Sequence, residues 1–113
     1  FTKLHLPKPK DTRALVISES GGFGLEVPWH VYSQKKSFSY ARLKNTDDLL
    51  KRYRKFITEE VIPLKSKGLT ALIYTQLSDV EEETNGLLTY DRKVLKMNEK
   101  ELRMLNISAI NQF

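Results

Sequence analysis

Ala14-Leu15-Val16-Ile17-Ser18-Glu19-Ser20-Gly21-Gly22 is the stretch whose reading decides the fold. Its first four residues form a short, uninterrupted apolar run. That is the pattern of a β-strand buried on both faces, and such strands belong to parallel sheets covered by helices. The run gives way at Ser18, and the glycines that follow predict a break in the strand. A second run of the same kind, Leu69-Thr70-Ala71-Leu72-Ile73-Tyr74, comes much later. Between the two lie a long connection, from Gly22 to about Lys44, and one clear helix. Asn45-Thr46-Asp47-Asp48 opens that helix, a capping side chain ahead of two acids that the helix dipole favours. Leu50, Tyr53, Ile57, Val61 and Leu64 then recur at spacings of three and four, which predicts one apolar face. Lys65, Lys67 and Gly68 close the helix, and Pro63 is expected to distort its final turn. Strand, long loop, helix and strand in that order predict a parallel βαβ unit with a right-handed crossover.

Upstream, Phe1 to Thr12 is polar, punctuated by Pro7 and Pro9, and reads as an extended lead-in. Downstream come an acidic loop (Asp79, Glu81, Glu82, Glu83), an Asn85-Gly86 turn and a short Leu87–Tyr90 stretch. A last helix includes Lys100, Glu101, Leu102, Leu105 and Ile110. No internal repeat is evident. Two parallel strands buried on both faces need neighbours on both edges and helices on both sides, so the chain looks like half a fold.

The length of 113 residues suits one modest domain. With no cysteine, a disulfide scaffold, an iron–sulfur site, a zinc ribbon and a thiol nucleophile are all excluded. His5 and His30 are the only histidines, so neither a metal nor a cofactor is expected. No window approaches the apolar length of a membrane span, and no membrane partner is expected. A chain that begins at Phe1 without a leader is expected to be a piece of something longer. Nineteen Lys and Arg against 14 Asp and Glu give a net charge of +5. The cations are scattered over Lys3, Lys8, Lys10, Arg13, Lys35, Lys36, Lys51, Arg52, Arg54 and Lys55, which predicts a solvated surface rather than a nucleic-acid stripe.

Glu19 is the most informative residue. It sits where an apolar strand ends, at the C-terminal mouth where α/β barrels carry their catalytic groups. A carboxylate there can be nucleophile or base, and the small neighbours Ser20, Gly21 and Gly22 are expected to leave room for a substrate. Gly21-Gly22-Phe23-Gly24 has neither the Walker spacing nor the dinucleotide fingerprint and reads as a turn. Asp79 with Glu81, Glu82 and Glu83 lacks the central glycine of a calcium loop and reads as a solvated acidic loop. Trp29 beside His30 offers an aromatic face for a sugar ring, or simply loop packing.

Three separated motifs carry a family resemblance. They are Ile17-Ser18-Glu19-Ser20-Gly21-Gly22, Leu72-Ile73-Tyr74-Thr75-Gln76 with Asp79-Val80-Glu81, and Asn85-Gly86-Leu87-Leu88-Thr89-Tyr90-Asp91-Arg92. Together they resemble glycoside hydrolase family 2, the family of β-galactosidases, β-glucuronidases and β-mannosidases, over roughly residues 13–95. The resemblance implies an α/β fold, a partial TIM barrel made of strand 7, helix 7, strand 8 and helix 8, since a whole barrel needs about 250 residues. Residues 1–113 would then be the C-terminal portion of a (β/α)₈ catalytic domain. Glu19 matches the family's nucleophile. No Asn-Glu pair precedes it, and Asn98-Glu99 lies too far downstream, so the acid/base glutamate is expected outside this chain.

Softer matches follow from the same likeness. Tyr74 falls where relatives carry a substrate-facing tryptophan and is expected to offer a stacking face. Asn85 matches an asparagine beside the sugar, and Trp29 and His30 join them as candidate substrate contacts. Glucuronidases carry an Asn-x-Lys-Gly stretch where this chain reads Glu83-Thr84-Asn85-Gly86. A uronic acid is therefore disfavoured, and a neutral β-hexoside is the expected substrate. The implied partners are a carbohydrate and the remainder of a parent glycosidase, with the isolated chain inactive. The competing reading is a stand-alone basic binding module in which Glu19 is incidental. Two open strand edges, and inward faces formed by Leu15, Ile17 and Leu72, lead us to expect self-association.

Overall fold

In a computed structural model describing residues 3–8 and 12–111, the two apolar runs pair side by side. Phe1, Thr2, Pro9, Lys10 and Asp11 of the expected extended lead-in lie outside the described residues. Strand β1 (Leu15–Gly21) leads into β2 (Phe23–Gly24), and β3 (Ala41–Arg42) follows within the long connection. Helix α1 (Thr46–Lys55) continues through a π-helical segment (Phe56–Val61) into α2 (Ile62–Lys65). Strand β4 (Leu69–Thr75) and helix α3 (Glu99–Asn111) complete the α/β domain. β1 pairs with β4 in parallel, as the strand–helix–strand order predicts, and β2 pairs with β3 in a second small parallel sheet.

β1 corrects two expectations. The glycines do not break it at Ser18; the strand runs on to Gly21, where β4 is still alongside. Nor is it buried on both faces. Ile17 packs on the core, whereas Val16 is 52% exposed, and so on β4 is Ile73, at 56%. Helices cover one face of this two-stranded sheet and nothing described covers the other. The face expected to be open is therefore the wrong one. Ile17 and Leu72 lie against the helices, with Leu15 half-buried, and Val16 and Ile73 form the bare side. The cause is a slip in parity. Leu15 pairs with Leu69 and Val16 with Ala71, so Thr70 is an extra residue on β4. One extra residue lets Leu69 and Leu72 both reach the core.

The helix begins where its cap signal stands, Asn45 Oδ1 accepting the Asp48 N–H at 2.8 Å. Tyr53, Ile57, Val61 and Leu64 are buried as the spacing predicts, but Leu50 is only half-buried, and Leu49 and Phe56 sit deeper. The π-helical segment explains part of this. Ile62 donates to Ile57 O five residues back, and the wider turn brings both Phe56 and Ile57 inward. Pro63 lacks an N–H and its ring crowds the carbonyl four residues before it, so the distortion falls ahead of Pro63 rather than in the final turn. Gly68, at φ +106°, ends the helix in a conformation that favours glycine.

Phe23, Tyr53, Phe56 and Tyr74 form an aromatic cluster, edge to face or tilted, with centroids between 5.2 and 6.3 Å apart. Arg52 stacks on Phe23 at 4.3 Å. α3 starts with Asn98 Oδ1 accepting from the Glu101 N–H, buries Leu102 and Leu105, and leaves Ile110 exposed. Tyr53 donates to Asn106 Oδ1 at 2.6 Å, and the Lys65 ammonium donates to the Ala109 and Ile110 carbonyls, closing the C-terminus of α3. Leu4 and Leu6 of the lead-in also rest on the core. Among the described residues, no helix is long and apolar enough to cross a membrane.

Candidate functional site

Glu19 stands on a β-bulge. Ile17 pairs with Leu72 and Ser20 with Tyr74, so Ser18 and Glu19 together oppose the single residue Ile73. A bulge re-aims the side chains it carries, and here both Ser18 and Glu19 are exposed. Below the bulge, Ser20 Oγ donates to Ile73 O at 2.8 Å and pins β1 to β4. Beyond it, the Gly22 N–H donates to Thr75 O at 2.8 Å. Glu19 is thus a carboxylate held out from the C-terminal end of a parallel pair.

The expected room beside it is filled. Ser20, Gly21 and Gly22 are all buried. A Cβ on Gly21 would come within 2.2 Å of the Tyr74 ring, and one on Gly22 within 2.2 Å of the Tyr40 ring. The two glycines, both at positive φ, are thin because a tyrosine lies against each. Tyr40 lies in the long connection between Gly22 and Lys44, where no motif in the sequence marks it. Its hydroxyl donates to Glu19 Oε1 at 3.4 Å, its N–H donates to Gly22 O at 3.1 Å, and its ring meets Phe38 at 5.5 Å. The Glu19 charge, with Glu83 adding to it, pushes the Tyr40 phenol above its ordinary range.

The end of β4 supplies the facing groups. The Thr75–Gln76 peptide is cis. Gln76 Nε2 donates to Asn85 Oδ1 at 2.6 Å and to Glu83 Oε2 at 2.9 Å. Asn85 is fully buried, and its carbonyl accepts from the Gln76 N–H. Phe38, Gln76, Val80, Glu81, Glu82 and Glu83 line an adjoining open hollow of 340 Å³. Glu19, Tyr40, Glu83, Gln76 and Asn85 therefore share one end of the sheet.

Asp79 is not part of a solvated acidic loop. It is buried against Lys96, whose Nζ lies 2.6 Å from Asp79 Oδ1 and 3.0 Å from Thr84 O, and Asp79 Oδ1 also accepts the Gly86 N–H at 2.8 Å. Burial pushes the carboxyl up and the ammonium down, and the pairing opposes both shifts. The only signal in the sequence was a lysine set between the apolar Leu95 and Met97. The bonds to Thr84 and Gly86 hold the segment that presents Glu83 and Asn85.

The remaining candidates lie elsewhere. Tyr74 does not offer a face to the mouth of the site; its ring packs against Phe23, Tyr53 and Phe56, and burial raises its phenol pKa. Trp29, at φ +70°, is 85% exposed. His30 Nδ1 lies 2.7 Å from Asp91 Oδ2, and Tyr32 meets Tyr90 at 5.3 Å, so this part of the loop is joined to residues 89–93. The Thr89 hydroxyl first, then His30, holds the Asp91 carboxyl well below the usual carboxylate range. Among the described residues, no hydrogen bond joins Trp29 or His30 to Glu19, Gln76 or Asn85. No group of three or more His, Asp or Glu among the described residues could hold a metal ion. The chain matches no protein-family model, and no curated protein matches it.

Proposed function

We propose that this chain is the strand 7 to helix 8 portion of a (β/α)₈ barrel in a retaining β-glycosidase similar to glycoside hydrolase family 2, with Glu19 as nucleophile. The observation that carries the proposal is the exposed Glu19 carboxylate, aimed by a bulge at the C-terminal end of a parallel strand pair. In such a barrel the uncovered Val16 and Ile73 would face inward, which accounts for apolar side chains on the bare side of the sheet.

A Glu19 oxygen attacks the anomeric carbon as the glycosidic C–O bond breaks. A second carboxylic acid, from residues outside this chain, protonates the departing oxygen. Water then cleaves the glycosyl ester, with that second group acting as base, which requires the two carboxyls to lie about 5–5.5 Å apart. The Tyr40 hydroxyl lies beside Glu19 and Gln76 stands at the same end, while Asn85, fully buried, holds Gln76 rather than meeting a sugar directly; Trp29 and His30 remain candidate sugar contacts. Glu81, Glu82 and Glu83 line the hollow beside the site, and no lysine or arginine is among its lining residues. A neutral β-hexoside suits it and a uronate does not. No cofactor enters the reaction.

With one of the two carboxyls, the 113-residue chain alone is expected to release no chromophore from aryl β-glycosides. The test is made in the longer protein. A fluorinated glycoside that forms a slow covalent adduct should label Glu19, as read by peptide mapping. Mapping of the adduct to any other carboxylate overturns the proposal.

A further inference from the structure

We infer that Tyr40 is the positioning residue for the Glu19 carboxylate and that Gly22 exists to seat it; this rests on the reading of Glu19 as nucleophile. On an exposed bulge, a glutamate has no neighbour to choose its rotamer, and a nucleophile must be held near its attack geometry. Tyr40 is the side chain that holds it, the hydroxyl meeting Oε1 at 3.4 Å and leaving Oε2 for bond formation. Tyrosine suits the task because a phenol donates one hydrogen bond without adding a charge, so the carboxylate keeps its negative charge for the attack.

The seat is built from backbone. Tyr40 donates its N–H to the Gly22 carbonyl, and β3, which starts at the next residue, pairs with β2 just beyond Gly22. The ring lies where any side chain at position 22 would be, 2.2 Å from a Cβ there. Phe38 supports its edge, and the Phe38 N–H and C=O bond to Glu82 O and the Thr84 N–H. Tyr40 is thereby tied to both ends of the site, to Glu19 through its hydroxyl and to the segment 82–84 through Phe38. The raised phenol pKa agrees with a carboxylate facing the hydroxyl.

Two measurements test this. In the 113-residue chain, ¹³C-labelled tyrosine spectra should show the Tyr40 phenol titrating above its ordinary range and returning toward it in Glu19→Gln. An unchanged Tyr40 titration overturns the contact. In the longer protein, Tyr40→Phe should lower kcat on an aryl β-hexoside about tenfold, the worth of a weak hydrogen bond to a charged group, with KM nearly unchanged. Gly22→Ala should reproduce that loss while keeping the hydroxyl. Activity that depends on Glu19 but is indifferent to Tyr40→Phe refutes the positioning role alone. Activity that survives Glu19→Gln refutes the nucleophile reading instead.

Discussion

Replacing Lys96 with methionine keeps the buried apolar stem and deletes the ammonium. Both side chains of the pair are at most 1% exposed, so the Asp79 carboxylate left behind would have no water and only the Gly86 N–H for support. Two bonds disappear together, the 2.6 Å contact to Asp79 and the 3.0 Å contact to Thr84 O. Breaking one side of a buried pair costs about 3–5 kcal/mol, and we expect that loss for Lys96→Met in urea unfolding at neutral pH. The pH dependence follows from the direction of the Asp79 shift. A carboxyl whose folded pKa lies above its unfolded value, about 3.9, binds its proton more tightly in the fold. Without Lys96, burial acts on Asp79 almost unopposed, so the deficit of the variant should shrink as pH falls toward 4 and grow as it rises. Asp79→Asn combined with Lys96→Met should cost less than the sum of the single changes. A single-variant loss below about 1 kcal/mol, or a deficit independent of pH, would refute the reasoning.

The two glycines should respond unequally. Gly21→Ala forces a Cβ into the core-packed Tyr74 ring at φ +86° and should cost about 3 kcal/mol by denaturant midpoint, whereas Gly22→Ala meets the half-exposed Tyr40 ring and should cost about 1–2. The Asp91 carboxyl, depressed first by Thr89 and then by His30, should shift upward more in Thr89→Val than in His30→Gln when followed by carboxyl NMR. A depressed carboxyl stabilises the fold above its unfolded value, about 3.9, and that contribution should fade as pH drops through the lower folded value. The chain should self-associate in sedimentation runs through its bare sheet face and open edges, and Val16→Lys with Ile73→Lys should return it to monomer; a clean monomer at high concentration without these changes would count against an open face.

What could be read from the residues was local. The apolar runs at 14–17 and 69–74, the Asn45 cap and the Gly68 stop each act over a few neighbours, and the strands and helix formed there. Parity across strands was not legible. Whether Leu72 or Ile73 faces the helices depends on Thr70 being an extra residue in the register, and that is decided by which strand lies alongside. The same limit hid the Asp79–Lys96 pair, two charges that look solvated until the chain folds one onto the other. Tyr40 escaped for a related reason. The glycine that makes room for it lies at position 22, and only the pairing of β2 with β3 brings the two together. At the site, Glu19 was legible from the strand end, and its bulge was not.

The Gly86 N–H bound to Asp79 has a chemical consequence for the lifetime of the chain. Asn-Gly sequences age, because the glycine nitrogen attacks the asparagine side-chain carbon, closes a succinimide ring and expels ammonia. Here that nitrogen is held by a buried carboxylate, and the Asn85 amide is sealed from water with its oxygen tied to Gln76. The attack needs rotations that this packing forbids. The bond that shapes the turn thus also acts as a preservative, and the clock on Asn85 runs only while the segment is unfolded.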